Sequence, residues 1–151
     1  NEDFIDEYKT FLNRLPSETD RLTTTQIRTE QSLIRKILIG NKNEIVCSIC
    51  KKEYPVDLVW CAHIKKRSEC SKDEKLDIQN IAVPMCKFGC DELFEKKYIY
   101  IYKRTIKFNL RKIASKDLRD KLNSLLENKI DKKYYHDGNK KYYKYHAKDI
   151  I

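Results

Sequence analysis

Four of the six cysteines in this chain form two close pairs, Cys47-x2-Cys50 and Cys86-x3-Cys90, with residues 51–85 between them. Each pair presents two sulfurs to one ion, and two such pairs suit the tetrahedral preference of zinc. No other feature constrains the fold as much, because the two pairs have to meet in space. Four thiolates leave no position open for water, so the expected ion is structural and contributes folding energy. Cys61 and Cys70 remain over. Cys61 reads as a small buried residue on a strand and Cys70 as a loop thiol, and a rival ligand set using either one is compatible with spacing alone. Disulfides are the use of six cysteines in an oxidising compartment; metal ligation is the use in a reducing one.

The 151 residues, 40% of them hydrophobic, suffice for one compact domain with a helical extension but not for two large cores. Thirty-two Lys and Arg against 23 Asp and Glu give a formal charge of +9, which points to a polyanionic partner, nucleic acid first and an anionic membrane surface second. No apolar run approaches the roughly 20 residues that span a bilayer and no signal-peptide pattern is present, so a cytoplasmic protein with no membrane partner is expected. The first residue is Asn rather than Met. That fits a piece of a longer protein whose further domains carry regulation or specificity.

Periodicity places the elements. Phe4, Ile5, Tyr8, Phe11, Leu12 and Leu15 have helical spacing over residues 3–15, and Pro16 follows that helix's end. A second helix is predicted over 25–39, with Thr23 to Thr25 as candidate N-caps, Ile27, Ile34, Ile37 and Leu38 inward, and Gly40 as C-cap. On it Arg28, Gln31 and Arg35 share a face that is either a solvated stripe or a set of phosphate contacts. Residues 45–50 and 51–55 read as a cysteine knuckle with a turn, 56–64 as a strand, 65–79 as a charged loop and 81–85 as a second strand. A helix over 91–97 opens with Asp91 and Glu92, a hairpin over 98–109 turns at Lys103 and Arg104, and a helix over 116–129 buries Leu118, Leu122, Leu125 and Leu126. The tail sets five tyrosines among six lysines. Such interleaving binds nucleic acid by charge and stacking, but the helical spacing of Tyr142, Tyr145 and Ile150, after a turn at Asp137 and Gly138, favours a short packed helix.

Residues 60–70 read WCAHIKKRSEC, so His63 ends an apolar strand and Lys65, Lys66 and Arg67 follow it at once. With the knuckles around it, the order strand, Ala62-His63-Ile64, charged loop, Asn80, strand, Cys86-x3-Cys90-Asp91, helix resembles the HNH endonucleases, whose core is the ββα-metal fold. The resemblance is strongest from Cys47 to about Ile99. Arg28-x2-Gln31-x3-Arg35 and the segment from Tyr142 to His146 are similar to flanking helices of a restriction-type branch of that family. The fold class expected on this basis is α+β, a zinc-stabilised ββα-metal core with flanking helices and a β-hairpin. Residues 1–40 are then an N-terminal helical extension and 41–151 a nuclease domain, with its core motif over 45–99 and its hairpin and last helices over 98–151.

The resemblance implies roles position by position. His63 is the general base that takes a proton from the attacking water, and Asn80 orients the loop between the strands. Asp91 stands where the family usually has a metal-binding histidine, a change that suits Mg²⁺ or Mn²⁺. Glu95, one helical turn on, either shares that ion or is a solvated residue beside Lys96 and Lys97. Ala62 departs from the many members that place a metal-binding residue just before the histidine.

Physical chemistry supports the same assignment. Phosphodiester hydrolysis needs a base with a pKa near 7, a divalent cation, and cations such as Lys65, Lys66 and Arg67 for the flanking phosphates. His136 and His146 lack that context and read as packing or surface residues. The expected function is a metal-dependent endonuclease acting on double-stranded DNA, from a bacterial restriction or other defence system; cutting both strands calls for a homodimer or two sequential events. The alternative is a zinc-stabilised nucleic-acid-binding module without catalysis, and a protein-binding zinc knuckle is a third class.

Overall fold

The computed structural model describes residues 2–15 and 22–150, so Pro16 lies outside the described residues. The chain is α+β: seven helices and three separate two-stranded antiparallel sheets among the described residues. No helix among them is long and apolar enough to cross a membrane.

Helix α1 (Glu2–Arg14) buries Tyr8 and Leu12 against α2 (Thr24–Leu38). Thr23 caps α2 with a reciprocal capping box: the Gln26 N–H donates to Thr23 Oγ1 at 3.1 Å and the Thr23 N–H to Gln26 Oε1 at 2.8 Å. Gly40, at φ +66°, follows the last turn and donates its N–H to the Arg35 carbonyl. Ile34 is fully buried, but Ile27, expected inward, is 41% exposed.

The central pair is β3 (Val59–His63) and β4 (Ala82–Cys86), in the register Val59↔Cys86 to His63↔Ala82. Both edges of this narrow sheet are covered, as an open edge of unpaired N–H and C=O groups requires. On the β3 side, Gln31 of α2 donates to the Cys61 carbonyl at 3.0 Å and accepts from the Cys61 N–H at 3.4 Å. Arg35, one turn further along α2, donates to the carbonyls of Val56 and Val59. Gln31 and Arg35 are therefore committed to the protein's own backbone, which corrects the expectation that they reach for DNA. Of that stripe Arg28 alone is exposed. On the other side Pro84, which has no N–H to lose, accepts from the Ser48 N–H at 2.8 Å.

Ser48 belongs to the knuckle joining β1 (Glu44–Val46) to β2 (Glu53–Pro55). The predicted charged loop over 65–79 is mostly helical: a 3₁₀ turn at Arg67–Glu69, α3 (Lys72–Leu76) and the single turn α4 (Ile78–Ile81). The signal was Ser71-x2-Glu74, whose side chains and N–H groups form a second reciprocal capping box. Helix α5 (Cys90–Glu95) follows β4 directly, shorter than the predicted 91–97.

The hairpin of β5 (Ile99–Tyr102) and β6 (Thr105–Phe108) turns at Lys103 and Arg104, both at positive φ as a two-residue turn demands. Helix α6 (Lys116–Leu122) stops well short of 129 because the backbone beyond it pairs with β6: Glu127 donates to the Ile106 carbonyl and Ile106 to that of Asn128. Helix α7 (Lys140–Ala147) closes the fold. It buries Tyr142 and Tyr143 rather than Tyr142 and Tyr145. One buried cluster runs from Tyr8 and Ile34 through β3 and β4 to Tyr143, so α1 and α2 share a core with the rest of the described chain.

Replacing Gln31 by Leu strands two buried backbone groups of Cys61. We expect it to lower stability by about 1–3 kcal/mol in urea unfolding, with zinc content unchanged.

Candidate functional site

The cysteine pairs do meet. Cys47 and Cys50 sit in the β1–β2 turn, Cys86 ends β4 and Cys90 opens α5. The ligand atoms of all four lie within 4.8 Å of one another. Two tight turns bring them there, one with Lys51 at φ +63° and one with Gly89 at φ +137°. The N–H groups of Ile49 and Cys86 point at Cys47 Sγ, at 3.4 and 3.3 Å, as they do toward a sulfur carrying negative charge. Hydrogen bonds from Cys47 and then Cys90 hold the Cys86 thiol well below its ordinary range. A set of four close, mostly buried sulfurs fits a structural ion such as zinc. Lys121 of α6 reaches over the second turn to the Phe88 carbonyl at 2.7 Å.

The remaining cysteines do not compete for the ion. Cys61 is fully buried on β3, and Cys70 is buried rather than a free loop thiol, with its Sγ donating to the carbonyls of Lys65 and Lys66. Among the described residues the four-cysteine cluster is the one group of three or more potential ligand atoms this close together.

A cleft of about 350 Å³, lined by none of the four cysteines, lies between β3, α5, the first half of α2 and the end of α7. His63, Asp91 and Glu95 all line it, together with Lys66 and Arg67. Strand β3 delivers His63 at its last residue, and α5 delivers the two carboxylates from successive turns. The His63 ring is half-buried, and its Nε2 is buried with no hydrogen-bond partner among the described residues. Burial first, then the positive charges of Arg67 and Lys75, lower its pKa from 6.5 to about 4. Asp91 is pushed up from 3.8 to about 6, by burial and then by Glu95 and Glu92.

The basic loop is less free than its sequence suggests. Arg67 Nε donates to both oxygens of the buried Glu30, at 2.8 and 2.9 Å, while its Nη1 is buried without a partner. Lys65 is tied to Glu74 at 2.9 and 3.0 Å and lies 4.1 Å from the centre of the Tyr145 ring. Lys66 is exposed.

Asn80 does not line the cleft. Its amide donates to Asp77 Oδ1 at 2.7 Å, and Asp77 Oδ2 accepts from the Tyr142 hydroxyl at 2.6 Å, so Asn80 fixes the α3–α4 junction to α7. Two lining residues escaped the sequence: Glu30, an acidic residue in an otherwise amphipathic helix, and His146. Neither carries a local signal.

No protein-family model matches the chain, and no curated protein matches it.

The purified protein is expected to carry about one zinc per chain. Cys90→Ser should lose most of it and unfold at a markedly lower temperature, read by metal analysis and circular dichroism. A second expectation concerns acid. His63 and His146 both titrate near 4 in the fold against an ordinary 6.5, so unfolding takes up protons between those values. Their contribution is fully present above about pH 6.5 and is lost as pH falls toward 4, with a slope of up to about 1.4 kcal/mol per pH unit for each. The urea midpoint should fall over that window, and less steeply in His146→Phe.

Proposed function

We propose that this protein is a metal-dependent DNA endonuclease of the HNH type, the cleavage unit of a restriction or other defence nuclease. One observation carries the reading: the histidine ending the first strand of an antiparallel pair and the carboxylates of the helix after the second strand line one cleft, and that helix opens with one of the four clustered cysteines.

The chemistry follows from the side chains. At neutral pH the His63 imidazole is uncharged and so can take a proton from an attacking water, although burial and Arg67 lower its pKa to about 4, which makes it a weaker base than the near-7 imidazole expected from the sequence. Asp91 and Glu95 are the residues that would hold Mg²⁺ or Mn²⁺, and a carboxylate donor pair suits these hard cations. That ion, when bound, supplies charge stabilisation at the phosphorane and the leaving oxygen. Arg67, held by Glu30, keeps a guanidinium edge beside His63 for a non-bridging phosphate oxygen. Exposed Arg28 and Lys66 are the cations that remain for the flanking backbone of a duplex. A single site of this kind cuts one strand, so cleavage of both calls for a homodimer or two events.

Two features favour the alternative of a nucleic-acid-binding module without catalysis: Ala62 before His63, and the lack of three converging ligand atoms in the cleft among the described residues. Supercoiled-plasmid nicking in Mg²⁺ and in Mn²⁺ separates the two. The nuclease reading expects His63→Ala to reduce nicking by roughly 10²–10⁴-fold while DNA affinity and zinc content stay near wild type. Tight DNA binding by zinc-loaded wild type with no nicking in either metal would establish the module instead.

A further inference from the structure

The turn that follows β6 reverses the usual disposition of its side chains. Residues 109–113 read NLRKI, and Leu110 and Ile113 are 91% and 90% exposed, more than any other large apolar residue described. The two cations between them are drawn back onto the protein instead. Arg111 Nη1 donates to the Asp149 carbonyl at 2.7 Å, and Lys112 Nζ lies 5.0 Å from the centre of the Tyr98 ring. The backbone is equally fixed. Asn109 is buried, and it donates through its N–H to the Tyr98 carbonyl and through Nδ2 to the Lys97 carbonyl, both at 2.9 Å. Its Oδ1 accepts from the Arg111 N–H at 3.0 Å, and the Lys112 N–H closes the turn on the Asn109 carbonyl.

Single exposed aliphatic residues are ordinary on a protein surface. A pair held out by a turn of fixed shape, with the cations between them bound elsewhere, is a preorganised contact. The surrounding chain gives the charge of its partner. Residues 96–116, KKYIYIYKRTIKFNLRKIASK, hold eight lysines and arginines and no carboxylate, so this stretch accounts for eight of the nine formal positive charges. Lys96, Lys107 and Lys116 pair with carboxylates, and the other five have no carboxylate partner among the described residues. Duplex DNA is a polyanion with an apolar interior, phosphates outside and stacked bases within. Proteins that kink it push Leu or Ile side chains between base steps while cations hold the backbone. The turn is also tied to the cleft, because Lys97, whose carbonyl Asn109 holds, is one of the lining residues. An anionic membrane would share the charge, but surface-bound proteins lodge there by burying a whole helix face, and a turn offers two side chains.

We propose that Leu110 and Ile113 form an apolar wedge that enters between base steps of duplex DNA, with the cations of residues 96–116 along the flanking phosphates. The inference rests on DNA as the partner, which the nuclease and binding-module readings share. Unstacking costs least at pyrimidine–purine steps and at mismatches, so these are the places the wedge selects.

The test uses zinc-loaded protein without added Mg²⁺ or Mn²⁺ and a short duplex carrying 2-aminopurine, which brightens when unstacked, beside a TA step or a mismatch. Wild type is compared with the double variant Leu110→Ser, Ile113→Ser. Both positions are nine-tenths exposed, so the variant should fold and hold zinc as wild type does, and it changes no charge. Wild type should brighten the probe and prefer the mismatched duplex. The double variant should bind the matched duplex roughly 10-fold more weakly, with no brightening and no mismatch preference. Its salt dependence should match wild type, because the phosphate contacts are untouched. Wild-type DNA binding with a dark probe and unchanged affinity in the double variant overturns the wedge and leaves the DNA reading standing. Failure of wild type to bind duplex overturns both. Self-association in sedimentation, or binding to phosphatidylglycerol vesicles, that the double variant loses while its DNA binding is intact assigns the pair to another copy of the chain or to a membrane, and overturns the wedge.

Discussion

Three two-stranded sheets cannot hold one another in place, since a pair of strands is marginal in water without something packed on it. The four sulfurs are where this fold resolves that problem. They tie the β1–β2 turn to the end of β4 and the start of α5, and the same knuckle covers the open edge of β4 through the Ser48 N–H. The opposite edge, that of β3, is closed by Gln31 and Arg35. The central strand pair is thus clamped along both sides, and its ends can carry side chains whose positions are fixed. His63 stands at the end of β3, and Asp91 is the second residue of α5, the helix that follows β4. The four-cysteine cluster holds one side of this strand pair and α2 the other, and α2 also lines the cleft with Ile27, Glu30 and Gln31.

The charge distribution follows from the same economy. A formal +9 suggests a broadly positive surface, yet around the cleft most cations are already paired: Arg67 with Glu30, Lys65 with Glu74, Lys97 with a carbonyl of α7. Pairing a guanidinium with a buried carboxylate fixes its direction while leaving part of its hydrogen-bonding capacity for something else. The Arg67 charge also acts on His63, lowering its proton affinity together with burial. A neutral imidazole, a fixed guanidinium and two carboxylates of α5 thus line one cleft.

What the sequence made legible was decided by range. The cysteine spacing located the four-cysteine cluster because it records a contact between two distant segments directly in residue identity. His63, Asp91 and Glu95 came from the ordered resemblance, and the structure brings all three to one cleft. The roles of Gln31 and Arg35 were hidden because a polar stripe on a helix looks the same whether it faces solvent, DNA or the bare edge of a strand. The length of α6 was misjudged for a related reason: its leucines keep helical spacing past Leu122, but the backbone after it is drawn into pairing with β6, which no local periodicity reports. The capped helix α3 was legible in Ser71-x2-Glu74, and the surrounding charge hid it.

His146 shows the limit most clearly, because neither its identity nor its neighbours in sequence distinguish it from a packing residue. What distinguishes it is a proton. The Phe94 carbonyl decides which nitrogen carries hydrogen, burial removes water as a partner for the other, and the stack on Phe94 keeps the ring from turning away. The carbonyl and the stacked ring both come from α5, the helix that opens with Cys90 of the four-cysteine cluster. The four-cysteine cluster is thereby coupled to the end of the chain as well as its middle: if α5 shifts, the carboxylates, the carbonyl that sets the tautomer and the ring resting on Phe94 shift together. A cleft assembled around one short helix in this way has its geometry set by a single element, and that element is fixed by a sulfur at its first residue.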